Sequence, residues 1–182
     1  MLFTMKKILF FFLISLFFIN CNQKDNSNSG VIPPDSISAN QGKLPYTAMY
    51  SSQFVPGKQS DLVTVLSSYK DWETNDMKSM RNTFGDSVEF RHSSGLIIKN
   101  TGNGFVNQAA KVRDSLSKVE INMYAWLASH SVDKNEDWVN VWYEEIDTYK
   151  TGVVDSAAYE DDNQLKDGKI VYVASHILKL KP

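Results

Sequence analysis

The C-terminal stretch 153–180, VVDSAAYEDDNQLKDGKIVYVASHILKL, decides the fold class of this chain. Apolar and polar residues alternate on both sides of Asp167-Gly168, and a period of two residues is typical of strands that bury one face. Asp-Gly between two alternating runs favours a tight hairpin turn, because such turns need positive φ and glycine adopts it without steric cost. The stretch therefore predicts two long antiparallel strands, 153–165 and 169–180.

Two earlier runs keep the same two-residue period. They cover 119–131 and 138–151 and end in polar turn residues, 133–135 after the first run and Thr151-Gly152 after the second. Together with the C-terminal hairpin they predict an antiparallel meander of four long strands.

The chain before the meander has helical periodicity. Ser60 is a favourable N-cap residue, and apolar residues then recur at steps of three and four. They are Leu62, Val65, Leu66, Tyr69 and Trp72. Shorter helices are predicted over 75–83 and 105–116, with short apolar strand segments at 88–92 and 96–98 between them. Helices at the front and a meander behind them predict one α+β domain, over 58–182.

The N-terminal segment predicts export. Lys6 and Lys7 precede an apolar run over 8–19, which is shorter than the roughly 20 residues that a membrane-spanning helix needs. The single cysteine, Cys21, follows this run at the place where lipoproteins are acylated. Residues 1–20 are therefore predicted to be a signal peptide and Cys21 a lipid anchor. The alternative is a signal or an uncleaved anchor with an incidental cysteine.

The residues after Cys21 predict a tether. Residues 22–26 resemble the short charged stretch after the acylated cysteine in surface lipoproteins of the Bacteroidota, which implies a cell-envelope protein anchored in the outer membrane and exposed at the surface. The chain up to residue 57 is then rich in Ser, Asn, Gly and Pro, a composition that buries too little apolar surface to offset the entropy cost of ordering. The range 21–57 is predicted to be flexible, with aromatic residues near its end that can dock on the domain.

Composition excludes several classes of site. One cysteine allows no intramolecular disulfide and no cysteine-built metal centre. The histidines lack the spacing of metal ligands on one strand or helix, so neither a metal nor another cofactor is expected. The formal net charge is −2 and no basic patch is visible, which argues against a nucleic-acid partner.

Three stretches carry a resemblance to a known family. They are 66–77 leading to 84–90, the pair Thr151-Gly152 ahead of a long strand, and 165–171. In this order they resemble the NTF2-like superfamily, and within it the SnoaL-like proteins. The resemblance implies three N-terminal helices packed in a curved antiparallel sheet that forms a cone. The superfamily uses that hollow as an active site, a ligand pocket or a core, so the fold does not decide the function.

The resemblance also implies which side chains point into the cone. They are Val171, Val173, Ser175 and Ile177 on the last strand and Tyr159, Asp161 and Asn163 on the strand before it. Asp161 falls near the acid that donates a hydrogen bond to the oxyanion in ketosteroid isomerases, and burial would raise its pKa. The alternative for Asp161 is a solvated acidic hairpin. SnoaL-like cyclases carry an aspartate where this chain has Ser175, and some members a histidine where it has Lys150, which counts against cyclase chemistry.

Histidines and aromatic residues complete the set of candidates. His92 and His130 are candidate acid–base groups if either lies beside a carboxylate, and surface residues otherwise. Tyr69, Trp72, Trp126 and Trp142 are candidate lining residues, with Trp126 and Trp142 expected on one face of the sheet. Such aromatic residues suit an apolar or ring-shaped ligand, the interface of a homodimer, or plain core packing.

Three functions stay open on these observations. The first is a non-catalytic lipoprotein that binds a small apolar ligand or a protein partner and forms a homodimer. The second is an isomerase, dehydratase or cyclase that uses Asp161 or a histidine–carboxylate pair. The third is a structural subunit of an envelope complex. They differ in whether titratable groups converge inside the hollow or apolar side chains fill it.

Overall fold

The computed structural model of the chain describes residues 45–179, so the predicted signal peptide, Cys21 and most of the predicted tether lie outside the described residues. The strands in this range are β1 (Phe54–Pro56), β2 (Phe84–His92), β3 (Ile97–Thr101), β4 (Leu116–Ser131), β5 (Glu136–Tyr149), β6 (Val154–Lys166) and β7 (Lys169–Lys179). The helices are α1 (Gln59–Thr74), α2 (Met77–Met80) and α3 (Gly102–Arg113). Within residues 45–179, none of the helices has the length and hydropathy that crossing a membrane requires.

The seven strands form one curved sheet in the order β1-β4-β5-β6-β7-β2-β3. The α+β class is confirmed, and β4 to β7 form the expected antiparallel meander. Two details of the prediction are wrong. The sheet is not wholly antiparallel, because β2 pairs in parallel with β7. The three helices are not all N-terminal to the strands, because β1 precedes α1 and α3 follows β2 and β3. Hydrophobic periodicity reveals strands but not the direction in which distant strands pair.

The domain begins before residue 58, at a strand that the sequence placed in the flexible tether. β1 pairs with the end of β4, where Phe54 lies opposite Ser131 and Pro56 opposite Ser129. Three residues are too few for a periodic signal, and proline is tolerated in an edge strand such as this one. Upstream of β1, the ring of Tyr50 packs edge-on against Trp138 with centroids 6.3 Å apart. The expected docking of tether aromatics therefore holds for Tyr50, whereas Tyr46 is exposed.

Helix α1 forms the centre of the hydrophobic core. Leu62 and Val65 are buried against Val139 and Val141 of β5, in a cluster that also includes Ile170. The helix begins two residues earlier than predicted, and its N-cap is Lys58 rather than Ser60. The Lys58 side chain is engaged elsewhere, since its ammonium group bonds the Asp137 carboxylate.

The C-terminal end of α1 is held by Arg113, which is only 6% exposed. Its guanidinium donates to the carbonyl oxygens of Trp72 at 3.0 Å, Glu73 at 3.2 Å and Leu116 at 3.3 Å. The last carbonyls of a helix have no partner within the helix, so these bonds satisfy groups that burial would otherwise leave unpaired. One side chain thus ties the end of α1 to the end of α3 and the start of β4.

We expect Arg113→Met to lower the free energy of unfolding by about 2–4 kcal/mol, because a buried guanidinium that bonds three backbone carbonyls is lost. Urea denaturation at 25 °C measures this loss. Lys111→Met is the matched control, since Lys111 is exposed on the same helix turn. An equal effect of both substitutions would contradict the capping role of Arg113.

Candidate active site

A cavity of about 320 Å³ lies between the helices and the inner face of the sheet. Cavities of this size hold small molecules in many proteins. Its walls are mainly aromatic, from Tyr69, Trp72, Phe84, Phe90, Phe105, Tyr143 and Tyr159. Three carboxylic acids also line it, Glu145, Asp147 and Asp161. Titratable groups therefore converge inside the hollow.

The register of β5, β6 and β7 brings these side chains to one face. Asp161 lies opposite Val141 on one side and Ser175 on the other. Residues opposite each other in an antiparallel pair point to the same face of the sheet, and every second residue repeats that direction. Because Val141 faces the core, Asp161 and Ser175 face it too. Glu145 and Asp147 follow Val141 along β5 in the same phase.

Asp161 is 4% exposed and lies at a hydrogen-bonded point of the cavity wall. Its Oδ2 accepts from the hydroxyls of Tyr69 at 2.7 Å and Tyr143 at 3.0 Å. Asn163 supports this arrangement by donating from Nδ2 to the Tyr69 hydroxyl at 3.3 Å and to the Val139 carbonyl at 3.2 Å. Asp161 is therefore a buried cavity residue, and the solvated-hairpin alternative does not describe it.

Burial raises the pKa of Asp161, while hydrogen bonds from Ser175, Tyr69 and Tyr143 oppose the rise. The Ser175 hydroxyl is close enough to lower the pKa, yet no bond of good geometry reaches Oδ1. Among the described residues, Oδ1 is thus a buried oxygen with no hydrogen-bond partner. Asp161 is also one of the residues that line the cavity.

Glu145 and Asp147 form a carboxyl pair on β5. Burial, together with the nearby charge of Asp147, raises the pKa of Glu145 to about 8, and a hydrogen bond with Trp72 opposes the rise. The pKa of Asp147 is also raised, mainly by burial, while its bond to Glu145 and the charge of Arg113 oppose that rise. Two partly buried carboxyl groups that share a hydrogen bond hold one proton between them over a wide pH range.

Three tyrosine rings form an aromatic cluster in the cavity wall. The rings of Tyr143 and Tyr159 stack with centroids 5.0 Å apart and planes 9° apart. Tyr69 meets Tyr143 edge-on at 5.1 Å. Burial raises the pKa of all three hydroxyls above the ordinary value of 10.0, so they remain neutral donors at physiological pH.

The two candidate histidines lie in different places. His92 lines the cavity, but its Nδ1 is 2.7 Å from Ser94 Oγ and no carboxylate bonds it among the described residues. His130 lies outside the cavity, where its Nδ1 is 2.7 Å from Asp137 Oδ1. A histidine–carboxylate pair therefore exists, but its acid is Asp137 and it does not face the cavity.

Most of the other predicted lining residues do line the cavity. They are Tyr69, Trp72, Tyr159, Asn163, Val173, Ser175 and Ile177. Val171 does not, because β7 shifts its register near Gln164 of β6.

Trp126 and Trp142 lie outside the cavity and do not share a face of the sheet. A register shift between Met123 and Ala125 places Trp126 opposite Val141 and Trp142 opposite Ala125. Without that bulge both tryptophans would point to the same side, because one extra residue reverses the direction of every side chain after it.

Sequence reasoning missed Tyr143, Glu145, Asp147 and Arg113. The run 138–151 carries apolar and acidic residues in both phases, so its period of two did not indicate which phase faces inward. Which alternate residues of β5 face inward becomes clear only from the structure, where Val141 packs in the core. Within the range 45–179, no three or more histidine, cysteine, aspartate or glutamate side chains are arranged so that they could hold a metal ion.

Comparison with known proteins finds the fold and no close relative. No protein-family model matches the chain, and no curated protein matches it. The structure is similar to an M. tuberculosis LEH-like epoxide hydrolase, with a TM-score of 0.56 and 10% identity over 65% of this chain and 83% of that chain. It is also similar to AusH from Aspergillus nidulans. The TM-score is 0.55 and the identity 14%, over 70% of this chain and 89% of that chain.

A third similar structure is an NTF2-like protein of unknown function from Exiguobacterium sp. 255-15. Its TM-score is 0.54 and its identity 18%, over 64% of this chain and 99% of that chain. At these identities the likeness concerns the fold alone.

We expect the buried acids to make the domain less stable at alkaline pH. The pKa of Glu145 rises from an ordinary 4.5 to about 8 on folding. The unfolded chain therefore loses this proton first, and the free energy of unfolding falls as pH rises from about 4.5 to about 8. Glu145→Gln should make that fall shallower by at least about 1 kcal/mol between pH 5 and pH 8.

Urea denaturation at several pH values measures this dependence. Glu144→Gln is the control, because Glu144 accepts a hydrogen bond from Asn122 on the opposite face of the same strand. If Glu145→Gln and the wild type lose stability equally with rising pH, Glu145 is not a buried acid with a raised pKa.

Proposed function

We propose that this domain, which has the NTF2-like fold, is an enzyme that catalyses proton transfer on a small, largely apolar molecule held in the cavity. The observation that carries this proposal is the convergence of Glu145, Asp147 and Asp161 inside a mainly aromatic hollow. Acids with raised pKa values that line a cavity are typical of groups that transfer protons in catalysis. The enzyme hypothesis is therefore favoured over the non-catalytic one.

Glu145 is the proposed general base. A pKa of about 8 keeps both protonation states populated near neutral pH, which is what a group that takes up and returns a proton requires. Asp147 shares its proton with Glu145 and thereby keeps that pKa high. Trp72, through its hydrogen bond, orients the carboxyl group.

Asp161 is the proposed stabiliser of negative charge on the substrate. Tyr69 and Tyr143 fix its Oδ2, which leaves Oδ1 available to a ligand. In its protonated form, favoured by burial, Asp161 donates from Oδ1 to an oxygen that gains charge in the transition state. Removal of a proton next to a carbonyl group by Glu145, with Asp161 on the carbonyl oxygen, is the step that isomerases, dehydratases and cyclases share.

The position of Asp161 also bears on Ser175, which stands where SnoaL-like cyclases carry an aspartate. The two residues lie directly opposite each other on β6 and β7. We propose that the neighbouring strand supplies the carboxyl group where SnoaL-like cyclases carry theirs on the last strand. One structure with a similar fold is described as an LEH-like epoxide hydrolase, so an enzyme on this fold has a precedent.

We expect the chain to exchange protons next to the carbonyl group of small cyclic or aryl ketones in D2O, as followed by proton NMR. Glu145→Gln should lower the exchange rate by about 10²–10⁴-fold, because the general base is lost. Asp161→Asn should lower it by about 10²–10³-fold, because the amide stabilises the developing charge less well.

Asp162→Asn is the control, since Asp162 points to the opposite face and accepts a hydrogen bond from Asn140 there. Exchange that survives in Glu145→Gln at the wild-type rate would refute the role of Glu145. An ordinary glutamate pKa for Glu145 in an NMR titration would refute the enzyme hypothesis as a whole.

We further propose that the domain acts at the cell envelope, in the outer membrane, through a lipid on Cys21. The apolar run over 8–19 directly before the single cysteine supports this location. A homodimer also stays a prediction. The sheet face opposite the cavity carries Trp142, in the same phase as Trp138 and Asn140, and is the surface that a second copy would use.

Cys21→Ser is expected to abolish incorporation of labelled palmitate in cells and to move the protein from the detergent phase to the aqueous phase on Triton X-114 partition. Ser27→Ala, a nearby substitution that keeps the cysteine, should leave both unchanged. Retention of the label in Cys21→Ser would show that this residue is not the lipid attachment site.

A further inference from the structure

Two carboxylate oxygens of the cavity acids are left without a partner. Asp147 Oδ1 and Asp161 Oδ1 are both buried and accept no hydrogen bond from any described residue. Asp161 Oδ1 is the proposed donor to the substrate, so Asp147 Oδ1 is the oxygen that lacks a donor. Buried polar atoms in folded proteins are almost always paired, so a ligand that binds beside Asp147 should supply hydrogen-bond donors. An ammonium group offers three donors and no acceptor, whereas a hydroxyl offers one donor.

The charge of the cavity points the same way. Its described lining includes three acids but neither lysine nor arginine. Arg113 lowers the pKa of Asp147 by its charge, yet its guanidinium already donates to three backbone carbonyls. With one proton shared between Glu145 and Asp147, the pair keeps a net negative charge in a poorly solvated place. The charge of Arg113 acts on this pair from a distance, and a cationic ligand would neutralise the remaining negative charge by direct contact.

The aromatic walls suit the same ligand. Trp72 bonds Glu145 and lines the cavity together with the stacked pair Tyr143 and Tyr159. Aromatic faces attract organic cations, most strongly where water is excluded. The remaining walls, which include Phe90 and Phe105, accept an apolar body. Aromatic rings beside unpaired acids therefore form a site for a molecule that is apolar at one end and cationic at the other.

We propose that the cavity binds a small organic amine, with its ammonium group on Asp147 Oδ1 and its apolar part between the aromatic walls. This inference rests on the proposed function in one respect, since it names the substrate class of the same site. Asp147 anchors the amine, and Glu145 then lies between the anchor and Asp161. In the proposed proton transfer, the amine would hold the substrate so that its reacting carbon faces Glu145.

Binding of a cation has a consequence for protons. The ammonium group favours the ionised form of the Glu145–Asp147 pair, so the shared proton is released on binding near neutral pH. Titratable and charged groups from every surrounding element also face this pair. They are Tyr69 on α1, Arg113 on α3, His92 on β2, Tyr143 on β5, and Asp155, Tyr159 and Asp161 on β6.

Isothermal titration calorimetry of the full chain in detergent tests the proposal with three ligands of matched shape. They are 2-phenylethylamine, which is cationic at pH 7, 2-phenylethanol, which is neutral, and phenylacetate, which is an anion. We expect the amine to bind at least about tenfold more tightly than the alcohol, a difference of about 1.4 kcal/mol. Titrations in buffers of different ionisation enthalpy should show proton release with the amine only.

Asp147→Asn should lower the affinity for the amine by about tenfold or more and leave the affinity for the alcohol unchanged, because the substitution removes the charge of the side chain and keeps its shape. Glu144→Gln, on the opposite face, should change neither affinity. The comparison of ligands on the wild-type chain does not depend on how well the variant folds.

The proposal is overturned if the alcohol or phenylacetate binds as tightly as the amine, or if the amine does not bind at millimolar concentration. This result is separable from the ketone exchange assay. Proton exchange on ketones without tighter binding of the amine would refute the proposed ligand class and leave the enzyme hypothesis standing. Amine preference without any exchange would refute the enzyme and leave the ligand class.

Discussion

The continuous register between β5 and β6 is the constraint on which the cavity depends. From Asp137 opposite Leu165 to Thr148 opposite Val154, the two strands pair without a bulge. This pairing places Val141 beside Asp161, and the two-residue period then directs Glu145 and Asp147 into the same hollow. A slip of β5 by one residue would turn Glu145 and Asp147 to the outer face, and a slip of β6 would turn Asp161 outward and bring Asp162 and Glu160 inward. The core packing of Val139 and Val141 against α1 opposes such a slip.

Stability and chemistry are separated along this sheet. Around Val139, Leu165 and Ile170 the inner face is fully packed, and these side chains supply the hydrophobic driving force. Further along the same strands the inner face carries buried acids whose raised pKa values work against stability at alkaline pH. The packed region therefore offsets the cost of an unsatisfied polar cavity, which is the usual arrangement where a site is held ready for a ligand.

The fold leaves the chemistry of the hollow free to differ between proteins. The structures to which this chain is similar share 10–18% of its residues, so the sheet and helices are kept by pattern rather than by identity. What distinguishes this chain is the content of the hollow, with Ser175 on the last strand, Asp161 opposite it and the Glu145–Asp147 pair further along. Function is therefore argued from these side chains and not from the fold.

The sequence by itself determined the elements that depend on local pattern. Asp167-Gly168 and the alternation around it specified the last hairpin, and the three- and four-residue steps from Leu62 to Trp72 specified α1, because both signals lie within one element. It also placed Asp161 among the candidate site residues through a family resemblance. The tertiary structure alone decided the parallel pairing of β2 with β7, the bulge that separates Trp126 from Trp142, and the inward direction of Glu145 and Asp147. These features depend on which distant strands meet and in which register, and a periodic sequence shows that a strand has two faces without showing which of them the core will cover.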